Sequence, residues 1–245
     1  MNGWILLTAA VVPSPHSHVT LTDPDSRLRQ YQESIAFWHH ASSAMGRRLA
    51  VVESSGTPRS TLIGLVDRLS RHSIVTQTVK APNEVENQGK GASEAFMIDA
   101  FVAQLGASDL SAYKVTGRLR VTNYRESMQV VQPSTVVVRM TLNRAYADTR
   151  VLGASIDVWK RELNAMYDDV DEGRGVWLEH VVASRLAAAH ALKRLNVERF
   201  NRRPRLQGMS GTHALTMYGG RRLGDFPGLN CVERAFHAFA ARKQV

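Results

Sequence analysis

Cations and small residues cluster where short apolar runs end, and their spacing suits the handling of a diphosphate. Gly89-Lys90-Gly91 leads into a helix-forming stretch with Glu94 in its opening turn. Glycines let a backbone come close to a ligand, lysine brings positive charge, and the free amides of a helix start favour anions. Lys114-Val115-Thr116-Gly117-Arg118 sets two cations and a hydroxyl at the end of a β-rich run. Ammonium and guanidinium groups both pair with phosphate oxygens, so Lys114 and Arg118 can neutralise a leaving diphosphate without a metal. The plain alternatives are a flexible loop preceding a helix for the first segment and an exposed turn with two solvated charges for the second. GxxxxGK[ST] is absent, which disfavours a P-loop kinase or ATPase.

Acids supply the other half of the chemistry. Glu53, followed by Ser54-Ser55-Gly56, can accept hydrogen bonds from ribose hydroxyls or a base N–H, with a generic strand-end acid as the plain alternative. Glu179 and His180 open a helix after an acidic loop. A carboxylate there can act as general base toward an acceptor hydroxyl, and the helix dipole favours its ionised form. Asp148 is the second candidate base, and His180 reads as a hydrogen-bonding partner of the acid. Asp168, Asp169, Asp171 and Glu172 form the densest acidic group, read as a solvated loop because the spacing is not that of an EF-hand. Arg205 and Ser210 lie in a glycine-bearing basic segment suited to closing over an anionic donor as a lid.

Positioning these groups requires a sheet. Strands are expected at Trp4–Val12, Arg48–Glu53, Ile74–Val79, Tyr113–Val115 and Thr135–Leu142. Helices are expected from Asp23 to about Ala44 and over Leu62–Leu69, Ser93–Leu105, Ile156–Tyr167, Val176–Leu195 and Leu229–Lys243. Asn83–Gly91 reads as a polar loop. The strand–helix rhythm predicts an α/β fold with a mostly parallel sheet flanked by helices, binding ligands at the carboxyl ends of its strands. The first strand runs into Thr8-Ala9-Ala10-Val11-Val12-Pro13 and carries no GxGxxG, which counts against NAD and, less strongly, against a methyl donor.

The chain has 245 residues and a net charge of +9, and residues 193–245 hold 11 Lys and Arg against three acids. A near-neutral body with a basic end points to a local anionic partner, such as a phosphate or an anionic membrane surface. Nucleic-acid binding through this end is the runner-up, weakened because only Phe200 and Tyr218 offer stacking rings between Lys193 and Arg222. A single cysteine, Cys231, excludes a disulfide framework, and no run of about 18 uncharged apolar residues spans a bilayer. The first strand lacks the marks of a leader, so a cytoplasmic location is expected.

Taken in order, Leu7-Thr8-Ala9, Asp23-Pro24 with Arg27 and Tyr31, Glu53-Ser54-Ser55-Gly56, Gly89-Lys90-Gly91 with Glu94, Lys114 with Thr116-Gly117-Arg118, Glu179-His180, and Pro204 with Gly208, Ser210-Gly211 and Tyr218 carry a resemblance. The chain resembles the short bacterial glycosyltransferases that build capsules, lipopolysaccharide O-chains and exopolysaccharides. The resemblance implies a GT-A-like fold, a nucleotide-diphosphate sugar donor (a UDP-sugar favoured) and a carbohydrate or lipid-linked acceptor, in a hexosyltransferase-type reaction. On that reading Thr8, Ala9, Glu53, Gly56, Lys90, Gly91, Glu94, Lys114, Thr116, Gly117, Arg118, Arg205 and Ser210 serve the donor. Glu179 is favoured over Asp148 as base in an inverting transfer. The position at the end of the fourth strand, where many nucleotide-sugar enzymes carry a metal-binding Asp-x-Asp, is basic here. Metal-independent transfer is therefore expected, ahead of Mn²⁺ or Mg²⁺ use. A single domain is read over 1–245: a nucleotide-binding half (1–125), an acceptor and catalytic half (126–200) and a basic helical extension (201–245). Peripheral contact of 193–245 with the inner face of the plasma membrane completes the expectation. The remaining alternative is a methyltransferase using S-adenosylmethionine on a similar sheet.

Overall fold

Seven successive apolar or small residues, with no charge among them, make Gly3–Ala9 a strand that can be buried on both faces. In the computed structural model, which describes residues 3–13, 20–64, 74–106, 108–209, 217–218 and 235, this strand (β1) is buried along its whole length. It lies between β2 (Arg48–Glu53) and β4 (Ser111–Thr116) and pairs in parallel with both. Strand β3 (Ile74–Thr78) extends the sheet beyond β2. The full order is β3-β2-β1-β4-β7-β6-β8, with β6 at Thr135–Val137, β7 at Val151–Ser155 and β8 at Asn196–Glu198. Only β7 is antiparallel to its neighbours. β1 stops at Ala9 rather than Val12. Beyond it the Ala10 amide donates to the Tyr31 hydroxyl (3.0 Å) and the Val11 amide to Glu53 (3.2 Å), so side chains replace the strand ladder.

Helix α1 (Pro24–Ala44) starts where Asp23 accepts from the Ser26 amide and Pro24 occupies the first turn. Its buried stripe includes Tyr31, Ile35 and Trp38, which pack on one face of the sheet with Ile5, Leu7, Val51, Tyr113 and Val115. The opposite face carries α4 (Lys90–Val102), α6 (Ile156–Arg161) and α7 (Leu178–Ala191) over Trp4, Leu6, Ala50 and Ala112. Strand alternation thus aims Thr8 and Lys114 at the α4 face, where their neighbours along the strands are apolar.

Several elements depart from expectation. The polar stretch before α4 contains a short helix, α3 (Asn83–Asn87), after Pro82. Of the predicted helix Leu62–Leu69 the described residues are 62–64, among which Leu62 lies in a helix, α2 (Arg59–Leu62); residues 65–70 lie outside the described residues, as does the last predicted helix apart from residue 235. The strand expected over Thr135–Leu142 is the three-residue β6, because the chain turns back at Thr141–Tyr146 and closes with a Met140–Ala147 bridge. Helix α6 ends at Arg161, and the Ala165 amide then donates to Asp99 (2.6 Å) in a left-handed bend. β5 (Arg120–Val121), α5 (Tyr124–Ser127), β9 (Leu206–Met209) and β10 (Met217–Tyr218) complete the fold, with β9 joining residues 206–209 to β5.

β7 has no counterpart in the sequence reading, and its middle residue explains how it fits. Gly153 sits opposite Tyr113 on β4, and a Cβ there would collide with the Tyr113 ring. Gly153→Ala should therefore lower stability by about 1–3 kcal/mol through overpacking. Urea denaturation measures this, and an unchanged midpoint would contradict the packing.

Candidate active site

At the carboxyl ends of β1 and β4 the apolar series on the α4 face gives way to Thr8 and Lys114. Lys114 is 1% exposed. Its ammonium lies 2.9 Å from Glu94 Oε1, and donates to the Thr149 carbonyl (2.7 Å) and more weakly to the Thr116 hydroxyl (3.4 Å). Thr8 donates to the same Glu94 oxygen at 2.6 Å. Burial works against ionisation of Glu94, but Lys114, then Lys90, then the Thr8 hydroxyl outweigh it and hold the carboxyl down to about 2. Thr149, itself 4% exposed, donates from its hydroxyl to Glu179 Oε1 at 2.8 Å. A continuous polar chain therefore links Thr8, Glu94, Lys114, Thr149 and Glu179. Lys114 was expected to face a diphosphate. It is enclosed and neutralised by Glu94 instead, and the partly exposed cation on this side is Lys90.

On the α1 face, the same β4 end presents a different environment. The Gly117 amide donates to the Thr8 carbonyl (2.9 Å), and any Cβ at Gly117 would strike that carbonyl. This close approach sets Arg118 beside α1. Arg118 is 5% exposed, and its Nη1 donates to Gln30 Oε1 at 3.1 Å. Its Nε is buried with no acceptor among the described residues. The guanidinium carbon stands 6.0 Å from the centre of the Tyr31 ring, and that of Arg27 stands 5.9 Å from it. Arg27 donates to the carbonyls of Ala10, Val11 and Leu21, which shapes the loop after β1. Burial is the main influence lowering the Arg27 guanidinium below its usual range; Tyr31 opposes it and the like charge of Arg118 adds to it. Two buried guanidiniums thus share one tyrosine, and no carboxylate forms an ion pair with either among the described residues.

Other predicted donor residues have internal partners. Glu53, 1% exposed, accepts from the amides of Val11, Ser55 (2.9 Å) and Thr57 (2.9 Å) and from the Ser55 hydroxyl. Its oxygens pin the β1 and β2 loops together, which corrects the ribose role expected for it. Ala9 contributes its carbonyl to the Ser54 amide, and Gly56 is an exposed left-handed turn. The Gly91 amide at the start of α4 donates to Glu172 Oε1 at 2.7 Å. Gly89 (φ +121°) leaves room for that same carboxylate, so the anion at this helix start is the chain's own Glu172. Arg205 is exposed, its backbone tied to Asn123 and Thr122. Ser210 lies outside the described residues. The strand before it passes close to Arg118: a Cβ at Gly208 would fall 2.6 Å from the Arg118 carbonyl, and Met209 Sδ receives the Gln30 amide.

The two candidate bases differ sharply. Asp148 binds Arg150 through both carboxylate oxygens, at 2.7 and 2.6 Å. Burial raises its affinity for a proton, but the Arg150 hydrogen bond and charge lower it below the usual range. Glu179 is half-buried and has one oxygen on Thr149. His180 Nδ1 accepts a long bond (3.4 Å) from the Trp177 amide, and its ring meets Tyr146 edge to face at 5.9 Å. The acidic loop divides its work: Glu172 caps α4, Asp171 accepts from the Arg174 amide, and Asp169 pairs with Arg185. Among the described residues no three His, Cys, Asp or Glu side chains form a metal-sized cluster. At the end of β4 the oxygens of Glu94, Thr116 and the Thr149 carbonyl contact Lys114.

The sequence reading gives Arg27, Tyr31 and Thr149 no chemical role, and it takes Glu172 as part of a solvated loop. A charged residue one turn before Tyr31 on the buried stripe of α1 is a readable signal for Arg27. Thr149 has none, since only folding brings β4 and α7 to it.

No family model matches the chain, and no curated protein matches it. Solved structures do. A protein of Desulfovibrio desulfuricans, provisionally named a nucleotide-diphospho-sugar transferase, superposes with a TM-score of 0.51 at 11% identity over 81% of this chain and 79% of its own. The inositol-1-phosphate CTP transferase of T. maritima gives 0.49 at 12% identity over 98% and 96%, and mouse xyloside xylosyltransferase 1 gives 0.43 at 10% over 79% and 84%. Of these three the first alone passes 0.5, and its low identity speaks for architecture only. The fold is GT-A-like: a mostly parallel seven-stranded sheet between helices. No helix among the described residues is long and apolar enough to cross a membrane.

The Lys114–Glu94 pair makes a direct prediction. Glu94 has a folded value near 2 against an ordinary 4.5, so its ionised form stabilises the fold above about pH 4.5, and that contribution is lost as pH falls toward 2. The loss should be on the order of 3 kcal/mol. Lys114→Met should cost about 3–5 kcal/mol at neutral pH, whereas adding Glu94→Gln should recover part of that loss. Denaturation curves against pH for the three proteins test this, and a Lys114→Met variant as stable as the parent would refute the pairing.

Proposed function

We propose that the chain transfers a sugar from a nucleotide-diphosphate donor, with a UDP-sugar favoured, to a carbohydrate or lipid-linked acceptor. The corresponding biology is bacterial surface polysaccharide synthesis. The observation that carries the reading is Arg118: a guanidinium buried at the carboxyl end of β4, with an unsatisfied Nε, a like-charged neighbour in Arg27 and no ion-paired carboxylate among the described residues. A buried cation left without a counter-charge is costly, and a diphosphate supplies the missing acceptors. The GT-A-like sheet is the frame in which that position lies at the ligand-binding edge.

In the proposed reaction the acceptor hydroxyl attacks the anomeric carbon as Glu179 takes its proton. The new C–O bond forms as the bond to the diphosphate breaks, and the nucleoside diphosphate departs with that electron pair. Arg118 meets the developing charge on the leaving group, and Lys90 adds a partly exposed cation on the α4 side. Lys114 acts at one remove, holding Glu94 and the Thr149 carbonyl so that the Thr149 hydroxyl orients Glu179. Glu179 is preferred over Asp148 because the Asp148 carboxylate is committed to Arg150. Inversion at the anomeric carbon is the stereochemical expectation for this single displacement. The basic, glycine-bearing segment from Arg205 to His213 is the proposed lid; its described part, β9, runs beside Arg118 and Gln30. The basic residues of 193–245 are proposed to keep the enzyme near anionic lipid.

A thermal-shift screen of nucleotides and nucleotide sugars, with and without Mn²⁺, tests the donor half. UDP should stabilise the chain without metal, and Arg118→Gln should weaken that response by about tenfold or more, as expected for a lost charge-assisted contact. Stabilisation by S-adenosylmethionine, or by no nucleotide at all, would reject the reading. For the base, Glu179→Gln should abolish turnover of a responding sugar nucleotide while UDP affinity stays nearly intact, and turnover at the parent rate would eliminate Glu179.

A further inference from the structure

Helix α1 reaches the end of β4 through side chains spaced one turn apart. Gln30, Ser34 and Trp38 recur every four residues and so share a face, and all three engage the segment that follows Gly117. The Trp38 indole N–H (2.8 Å) and the Ser34 hydroxyl (3.2 Å) both donate to the Leu119 carbonyl. One turn nearer the start of the helix, Gln30 Oε1 accepts from Arg118 Nη1 at 3.1 Å. A guanidinium has five donors and no acceptor, so the amide oxygen of Gln30 must face it and the amide nitrogen must face away. That nitrogen donates to Met209 Sδ at 3.1 Å, in β9. Gln30 therefore holds Arg118 on one side and β9 on the other.

Gln30 aims the guanidinium without answering its charge. Arg118 is buried, its Nε has no acceptor, and no carboxylate is ion-paired with it among the described residues. Beside it stand the Tyr31 ring and, across that ring, the like charge of Arg27. The Tyr31 hydroxyl is already engaged, accepting from the Ala10 amide (3.0 Å) and from Arg27 Nη2 (3.4 Å). Glutamate has the length and shape of glutamine and would reach Nη1 from the same backbone position. Four residues earlier the chain uses that solution, since Lys114 is met by Glu94 at 2.9 Å. At Arg118 an amide occupies the place where a carboxylate would fit. A carboxylate there would form the charge-assisted pair that an incoming anion must otherwise form.

We infer that residue 30 sets the anion preference of this site: Gln30 is a positioning residue that orients Arg118 toward a phosphate oxygen and, being neutral, leaves the guanidinium charge to meet it. The ligand class is an oxyanion of the diphosphate type. Its assignment to a nucleotide donor rests on the transfer proposed above; the effect of charge at residue 30 does not.

Thermal unfolding of the full chain, Gln30→Glu and Gln30→Leu, each alone and with UDP or inorganic pyrophosphate, tests this. Without ligand, Gln30→Glu should melt above the parent, because a buried cation gains a counter-charge. Gln30→Leu should melt below it, because Nη1 loses its acceptor. Gln30→Glu should weaken the response to both ligands by about tenfold or more. Gln30→Leu, which breaks the same hydrogen bond but adds no charge, should lose clearly less. Gln30→Glu melting no higher than the parent, or Gln30→Leu losing the ligand response as fully, overturns the proposal. A Gln30→Glu variant that answers UDP as the parent does refutes the role of residue 30 and leaves the donor reading standing. A parent that responds to pyrophosphate but to no nucleotide, with that response lost in Gln30→Glu, supports residue 30 and refutes the donor reading alone. A parent that ignores pyrophosphate and UDP alike overturns both.

Discussion

A lysine with 1% of its surface exposed sits at the point where the central sheet meets solvent, and the arrangement around it depends on its charge being answered. Glu94 from α4 provides that answer at 2.9 Å, and Thr8 and the Thr149 carbonyl complete the coordination of the two charges. Removing either partner would strand the other in a medium that solvates ions poorly, which is why such pairs tie elements together even where their net contribution is small. Here the elements tied are β1, β4, α4 and the segment entering β7. Through the Thr149 hydroxyl the tie reaches Glu179 at the start of α7.

One strand end thereby serves two chemistries. Lys114 and Arg118 are four residues apart, a spacing that strand alternation alone would keep on one face; β4 ends at Thr116, and the turn at Gly117 sets Arg118 on the opposite face. On the α4 face charge is internally balanced, and the balanced network orients an acid. On the α1 face Arg118 and Arg27 stand against a shared tyrosine, and no carboxylate is ion-paired with either among the described residues. A balanced buried pair gives rigidity, whereas an unbalanced buried cation gives appetite for an anion. The distinction separates the residues that hold the site from the one proposed to meet the leaving group.

The acids show the same division between scaffold and chemistry. Glu53 at the end of β2, Glu172 in the turn before α7 and Asp148 before β7 are each occupied by backbone amides or by an adjacent arginine. Glu53 read as a ribose ligand because a strand-end acid and a loop-binding acid look identical in one dimension; only the amides of Val11, Ser55 and Thr57 tell them apart. Gly89-Lys90-Gly91 read as a phosphate cradle for a sound reason, since its helix start does hold an anion. That anion came from a loop 80 residues downstream, beyond the reach of local pattern.

Composition and periodicity alone determined the parallel strands β1 to β4, helix α1 with its Asp23 cap, and the polar residues that punctuate the strand ends, because these follow from local apolar patterning and capping chemistry. They also determined which faces of α1 and β1 are buried. The tertiary structure alone decided that β7 enters antiparallel through Gly153, that Lys114 faces a carboxylate rather than a cleft, and that Thr149 connects to Glu179. Each of these depends on segments distant in sequence meeting at a few ångströms, where burial converts a charge from a surface ornament into a constraint. A residue's type limits what it can bind, but which partner it finds is fixed by the packing of the whole sheet.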